Sequence, residues 1–303
     1  MFKIDNKKIF YITVGLIVAL FPLVYWFVYS FLYSDTSKNA NDENMTVLSK
    51  NANDENMTVL NSPEDINQDL LDHIVNNDLQ GLIINYPFTS CDKYAKFNYM
   101  NNPFQMANAK KPVRRIDFEI RFGPNVNSLD CAFEGLKILE YVNIKDVSNI
   151  TSMKRVFSNA QAFNQSIGNW DTSNVTNMSC MFKDAKKFNQ PIGNWDTSKV
   201  TDMSCMFMGA KVFNQPVGMW DVSNVTNLNT IFREAVAFDQ DLSQWDTSNV
   251  ENLRMAFWGA RSFNRDISMW KLPKIRSRDS VSGVFGNGCP YSFSSPSTLY
   301  ELD

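Results

Sequence analysis

The sequence carries one histidine, His73, and no surplus of positive charge: 29 Lys and Arg stand against 32 Asp and Glu, a net charge of −3. General-base, triad and zinc-cluster chemistry draws as a rule on several imidazoles, so a lone one argues against most of it. The balanced charge argues against bulk phosphate binding and hence against a nucleic-acid partner. Five cysteines in 303 residues do not make a small disulfide scaffold. No small-x-small site and no nearby cysteine follow the N-terminal apolar run, which disfavours a cleaved signal peptide and a lipoprotein. No nucleophile, base and orienting group can be grouped from the sequence, so the expected protein is not an enzyme and needs no cofactor.

What is there is unevenly spread. Residues 9–33 form a run of 25 without a charge, longer than the roughly 20 helical residues that cross a hydrocarbon core. Lys3, Lys7 and Lys8 precede it and Asp35 follows, which places the N-terminus in the cytoplasm and the rest of the chain outside, exposed at the surface. Residues 1–34 therefore read as a cytoplasmic tip and a single-pass transmembrane signal anchor, with the membrane as partner through residues 9–33. Residues 35–62 contain SKNANDENMTVL twice in tandem, at 37–48 and 49–60. That polar composition cannot bury enough surface to offset chain entropy, so a disordered stalk is expected.

Residues 63–124 read as a small α/β cap. Ser62 and Pro63 suit a helix start, with Ile66, Leu70, Leu71, Ile74 and Val75 on one face. His73 lies on that helix as an ordinary surface or partly buried side chain. RIDFEIRF at 115–122 alternates like a strand with one buried face.

The rest repeats. Trp170, Trp195, Trp220, Trp245 and Trp270 recur every 25 residues, and so do two phenylalanine series headed by Phe157 and Phe163 and an alanine series headed by Ala160. A fixed period of this size means stacked units, none able to bury its apolar side alone. About six such coils fit residues 125–289, leaving 290–303 as a tail. Within a coil, 170–175 suits a short parallel strand and 178–186 about two helical turns. Asn164, Asn189, Asn214, Asp239 and Asn264 share one slot and suit a side-chain ladder at a corner; Gly168, Gly193 and Gly218 suit a turn.

NVTNMSCMFKDAKKFNQPIGNWDTSKVTDMSCMF, with its SNVTxM, MFxxAxxFNQ and NWDxS elements, resembles the repeat of the BspA-like leucine-rich-repeat surface proteins, the DUF285-type repeat. The resemblance implies an α/β repeat in the form of a right-handed leucine-rich-repeat-like solenoid displayed on a cell surface, with adhesion or protein binding as its role. Many members are lipoproteins or carry wall anchors, whereas this chain has an N-terminal apolar helix in their place.

Binding is expected in slots that vary while the scaffold stays constant: Lys183, Met208, Arg233 and Trp258 in one, and Asn169, Asn194, Met219, Gln244 and Met269 in another. Two further columns carry chemistry. Asp171, Asp196, Asp221 and Asp246 would stack carboxylates one coil apart, a weak calcium candidate beside the plainer reading of a solvated row. Cys180 and Cys205 share a slot on neighbouring coils, a possible disulfide or a packing position continued by Thr230 and Met255. The expectation is a membrane-anchored, surface-displayed protein that binds a protein or glycan partner; the alternative is a structural surface-layer component without a specific ligand. Oligomeric state is not set by the sequence.

Overall fold

In a computed structural model of the chain the described residues are 56–86, 102–286 and 288. The chain divides into two compact units, Met1–Glu55 and Asn56–Asp303. The expected anchor, most of the expected stalk and the tail 290–303 lie outside the described residues. Among the described residues no helix is long and apolar enough to cross a membrane.

The first elements come from β-branched and apolar runs. Strand β1 (Thr58–Leu60) is followed by a 3-10 turn (Pro63–Asp65), helix α1 (Gln68–Asn76), β2 (Gly81–Ile84), helix α2 (Pro103–Lys110), β3 (Arg115–Phe122) and β4 (Tyr141–Ile144). The four strands form one parallel sheet in the order β1-β2-β3-β4. β1 is the end of the second copy of the polar duplication. The expected stalk boundary at residue 62 is thereby corrected, because Thr58-Val59-Leu60 pairs with Leu82, Ile83 and Ile84 and buries Leu60.

The helix begins later than Pro63. Ser62 opens only the 3-10 turn, whose Asp65 Oδ2 accepts from Ser62 N at 2.9 Å. Asn67 then caps α1, accepting from Leu70 N at 2.9 Å, and Leu70, Leu71 and Ile74 are buried beneath it. His73 stays exposed, with Nδ1 2.8 Å from Asp78 Oδ1. β3 follows its alternation, with Ile116, Phe118 and Ile120 buried.

From Ser128 onward the 25-residue copies stack in register. Single parallel bridges join Ser128 to Ser152, then Asn177, Asp202, Asn227 and Asn252 in succession. The expected strand at 170–175 is a turn, in which Val175 N donates to Thr172 O at 2.9 Å, and the bridge falls at Asn177. The expected helical turns at 178–186 do not form either. Each copy instead holds two left-handed residues four apart: Cys131 and Gly135, Arg155 and Asn159, Cys180 and Asp184, Cys205 and Gly209, Thr230 and Glu234, Met255 and Gly259, with φ from 51° to 76°. A left-handed residue at that spacing interrupts a right-handed helix. Alternate amides turn outward to the next copy: Cys180 N donates to Ser204 O at 2.8 Å, Phe182 N to Met206 O at 2.9 Å and Asp184 N to Met208 O at 2.7 Å. Those between them close local turns, as Met181 N does on Met178 O at 3.2 Å.

The interior is a set of aromatic columns. Phe157, Phe182, Phe207, Phe232 and Phe257 stack with centroids 5.6 to 5.9 Å apart. Phe163, Phe188, Phe213, Phe238 and Phe263 repeat at 6.0 to 6.1 Å. Within a copy the two rings lie closer, 3.9 Å for Phe207 and Phe213. Each later tryptophan ties its copy to the one before, Trp220 Nε1 donating to Ile192 O at 3.1 Å and Trp245 Nε1 to Val217 O at 3.1 Å. The corner ladder forms as well: Asn214 Oδ1 accepts from Asp239 N at 2.9 Å and Asn189 Oδ1 from Asn214 N at 2.9 Å. The glycines at 168, 193 and 218 answer to close approach, since a Cβ on Gly193 would lie 2.7 Å from Pro216 O of the following copy.

The first copy needs partners for groups that a preceding copy would otherwise satisfy. Ala132 O begins the row of carbonyls that accept from the phenylalanine amides, and Asn102 Nδ2 supplies its donor at 2.9 Å. At the open edge of β4, Val142 N donates to Gln165 Oε1 at 2.8 Å and Gln165 Nε2 donates to Val142 O at 3.0 Å, so one side chain imitates a further strand. The α/β segment thus continues the stack, its Phe104 ring lying 5.0 Å from Phe133.

Candidate functional site

The constant apolar slots are spent on the interior, which leaves the slots that change and the exposed polar columns as candidate sites. Asn169, Asn194, Met219, Gln244 and Met269 are all exposed, at the tips of successive turns just before the tryptophans. Met219 is 87% and Met269 73% exposed, the two most exposed large apolar side chains among the described residues. Nothing in the packing of the copies calls for a thioether there.

The other variable slot lies deeper than expected. Lys183, Met208, Arg233 and Trp258 are half-buried. Trp258 is not a free anchor, because its ring covers Gly283 and Gly286. A Cβ on Gly283 would sit 3.1 Å from Trp258 Cε3, and one on Gly286 would overlap the ring. Arg233 is held beside its own copy and the next, with Nε 3.7 Å from Glu234 Oε1 and Nη1 3.8 Å from Met255 Sδ.

The aspartate column stands exposed, but each carboxylate is engaged locally. Oδ1 of Asp171, Asp196, Asp221 and Asp246 accepts from the backbone amide two residues on, at Ser173, Ser198, Ser223 and Ser248, over 2.9 to 3.0 Å. These are Asx turns. Hydrogen bonds from Ser173, Ser198 and Ser248 hold Asp171, Asp196 and Asp246 below the ordinary carboxylate range. Among the described residues no group of three or more His, Cys, Asp or Glu side chains is gathered as a metal ion requires. The carboxylates shape turns.

Cys180 and Cys205 do meet across neighbouring copies, but as free thiols and not as a disulfide. Thr230, one copy further along the same slot, donates its hydroxyl to Cys205 Sγ at 3.0 Å. That role was hidden in the sequence, where Thr230 breaks the column of cysteines. Cys131, earlier in the slot, is disulfide-bonded.

The repeat geometry agrees with a family match. The family described as "Mycoplasma protein of unknown function, DUF285" matches residues 127–222 and again 192–288. The chain belongs to the DUF285 family. The two overlapping matches span the copies whose bridges and phenylalanine columns are in register, so the DUF285 repeat is here the 25-residue stacking unit. No curated protein and no solved structure matches the chain.

Proposed function

We propose that this DUF285 protein is a membrane-tethered, surface-displayed repeat protein of the BspA-like type, whose copies form a leucine-rich-repeat-like solenoid that binds a protein or glycan partner. The observation that carries this is the exposed slot of Asn169, Asn194, Met219, Gln244 and Met269, which changes from copy to copy while the slots beneath it hold their apolar character. Regularly spaced side chains on a rigid stack offer a long surface to a macromolecule. Two solvent-exposed methionines supply apolar area that adapts to its partner. The tether is the uncharged run 9–33, and the basic residues before it put the repeats outside the cell.

Protease shaving of intact cells should release repeat fragments. The purified chain should then bind a protein or glycan surface saturably, and replacing Met219 and Met269 by Asn, the residue of Asn169 and Asn194, should weaken capture without lowering Tm. Self-association as the sole interaction would refute the binding function and favour a structural surface-layer role.

A further inference from the structure

The dithiol of Cys180 and Cys205 is built differently from every other position in its column. The slot runs Cys131, Arg155, Cys180, Cys205, Thr230 and Met255, all with left-handed backbone. Its two adjacent cysteines are the described chain's free thiols, both half-buried and so within reach of solvent. They lie one copy apart in a stack whose register is fixed on both sides, by the Asn177–Asp202 bridge and by the Phe182 and Phe207 rings at 5.7 Å. Bridged strands lie about 4.8 Å apart, inside the roughly 4.4–6.8 Å separation of α-carbons that a disulfide spans. The pair can therefore be oxidised without a change of register.

The two thiols are not equivalent. Cys205 Sγ accepts from the Thr230 hydroxyl at 3.0 Å, and the Cys180 thiol is its side-chain partner one copy back. Pairing with Cys180, aided by Thr230 and the nearby Lys183 charge, holds the Cys205 thiol below its ordinary range against the opposing effect of burial. Pairing with Cys205, together with burial, pushes the Cys180 thiol up. Arg155 and Lys183 are the cations facing the pair and Asp202 the anion. The Thr230 hydroxyl on Cys205 Sγ favours negative charge on that sulfur over Cys180, the division of labour between attacking and resolving thiols.

We propose that Cys180 and Cys205 form a redox-active dithiol that exchanges with low-molecular-weight disulfides, Cys205 attacking and Cys180 resolving. The Cys205 thiolate attacks one sulfur of the disulfide, forming a mixed disulfide and releasing one thiolate, which takes up the proton lost from Cys205. Cys180 then gives up its proton and attacks Cys205 Sγ, closing the Cys180–Cys205 bond and releasing the second small thiolate, which is protonated in turn. Two protein thiols are oxidised to one disulfide, and one small disulfide is reduced to two thiols.

The test is oxidised glutathione added to the full-length chain in detergent, followed by alkylation, trypsin and non-reducing mass spectrometry. The thiols fall in separate tryptic peptides, residues 156–183 and 200–211. Wild type should give these two peptides cross-linked. Cys180→Ser should stop at a glutathione adduct on Cys205, and Cys205→Ser should leave Cys180 largely unmodified. Thr230→Val should slow adduct formation about two- to threefold, because the thiolate population falls while its intrinsic nucleophilicity rises. Absence of the cross-link from wild type, an arm that depends on no variant, would overturn the proposal. So would a Cys205→Ser chain that forms an adduct on Cys180 as fast as wild type reacts.

Discussion

Replacing Phe207 by alanine should destabilise the repeats more than an average core truncation. The ring is fully buried and touches four others: Phe182 at 5.7 Å, Phe232 at 5.6 Å, Phe213 at 3.9 Å and Trp220 at 6.2 Å. A Phe to Ala change in a core costs about 3 to 5 kcal/mol, the larger values where the cavity cannot collapse. Here it cannot collapse. The amides of Phe182 and Phe207 are bonded at 2.9 Å to Met206 O and Ile231 O, and those bonds fix the spacing of the copies on either side of the hole. Each lost aromatic pair forfeits about 0.5 to 1.5 kcal/mol of specific stacking, which places the change near the top of the range, about 5 kcal/mol. Urea unfolding of a fragment starting at Asn56, where the second compact unit begins, measures it from the fall in midpoint. Because a stack is held by nearest-neighbour contacts, so central a defect should also lower the m value as the two halves unfold separately. A loss below about 1 kcal/mol with an unchanged m value would place Phe207 in a loosely packed or exposed position and refute the column.

Trp220→Phe keeps an aromatic side chain but removes the five-membered ring and the N–H that Ile192 O accepts at 3.1 Å; the stranded buried carbonyl should cost about 1 to 3 kcal/mol in the same urea titration, with the lost ring volume adding to it. Asn214→Ala removes the acceptor of both Asp239 N and Gln240 Nε2, each at 2.9 Å, and should cost about 1 to 3 kcal/mol. Asn214→Asp, which restores an acceptor and copies Asp239, should recover most of that loss. Stability should also fall on acidification. Folding holds Asp171, Asp196 and Asp246 below their ordinary values, so the unfolded chain binds more protons as pH drops through the carboxylate range. The contribution is complete above the ordinary carboxylate pKa and is lost as pH falls through the depressed folded values. Asp196→Asn, still able to accept from Ser198, should flatten that slope in Tm against pH.

The period, the phenylalanine and tryptophan columns, the asparagine ladder and the strand at 115–122 were all legible in the sequence, because each repeats one chemical demand at a fixed interval. Local backbone was not. Residues 178–186 have the apolar spacing of a short helix, yet Cys180 and Asp184 are left-handed, and neither Cys, Thr nor Met in that slot announces it; only Gly135, Gly209, Gly259 and Asn159 hint at the second position. The parallel bridge sits on polar Asn177 and Asp202, invisible to any search for β-branched runs. Trp258 read as a binding-slot residue because the glycines that receive its ring, Gly283 and Gly286, lie in the degenerate last copy. Thr230 became informative only once its hydroxyl was seen on Cys205.

The central claim is that successive 25-residue copies stack in register, and a spin-label distance tests it most directly. Lys186 and Arg261 are exposed, occupy one slot and stand three copies apart. The intervening steps of 6.0 to 6.1 Å between Phe188, Phe213, Phe238 and Phe263 put them about 18 Å apart, although 75 residues separate them in sequence. Labels attached at these two sites by non-cysteine chemistry should give one narrow distribution near that value. A broad distribution, or a distance twice as long, would contradict the stack.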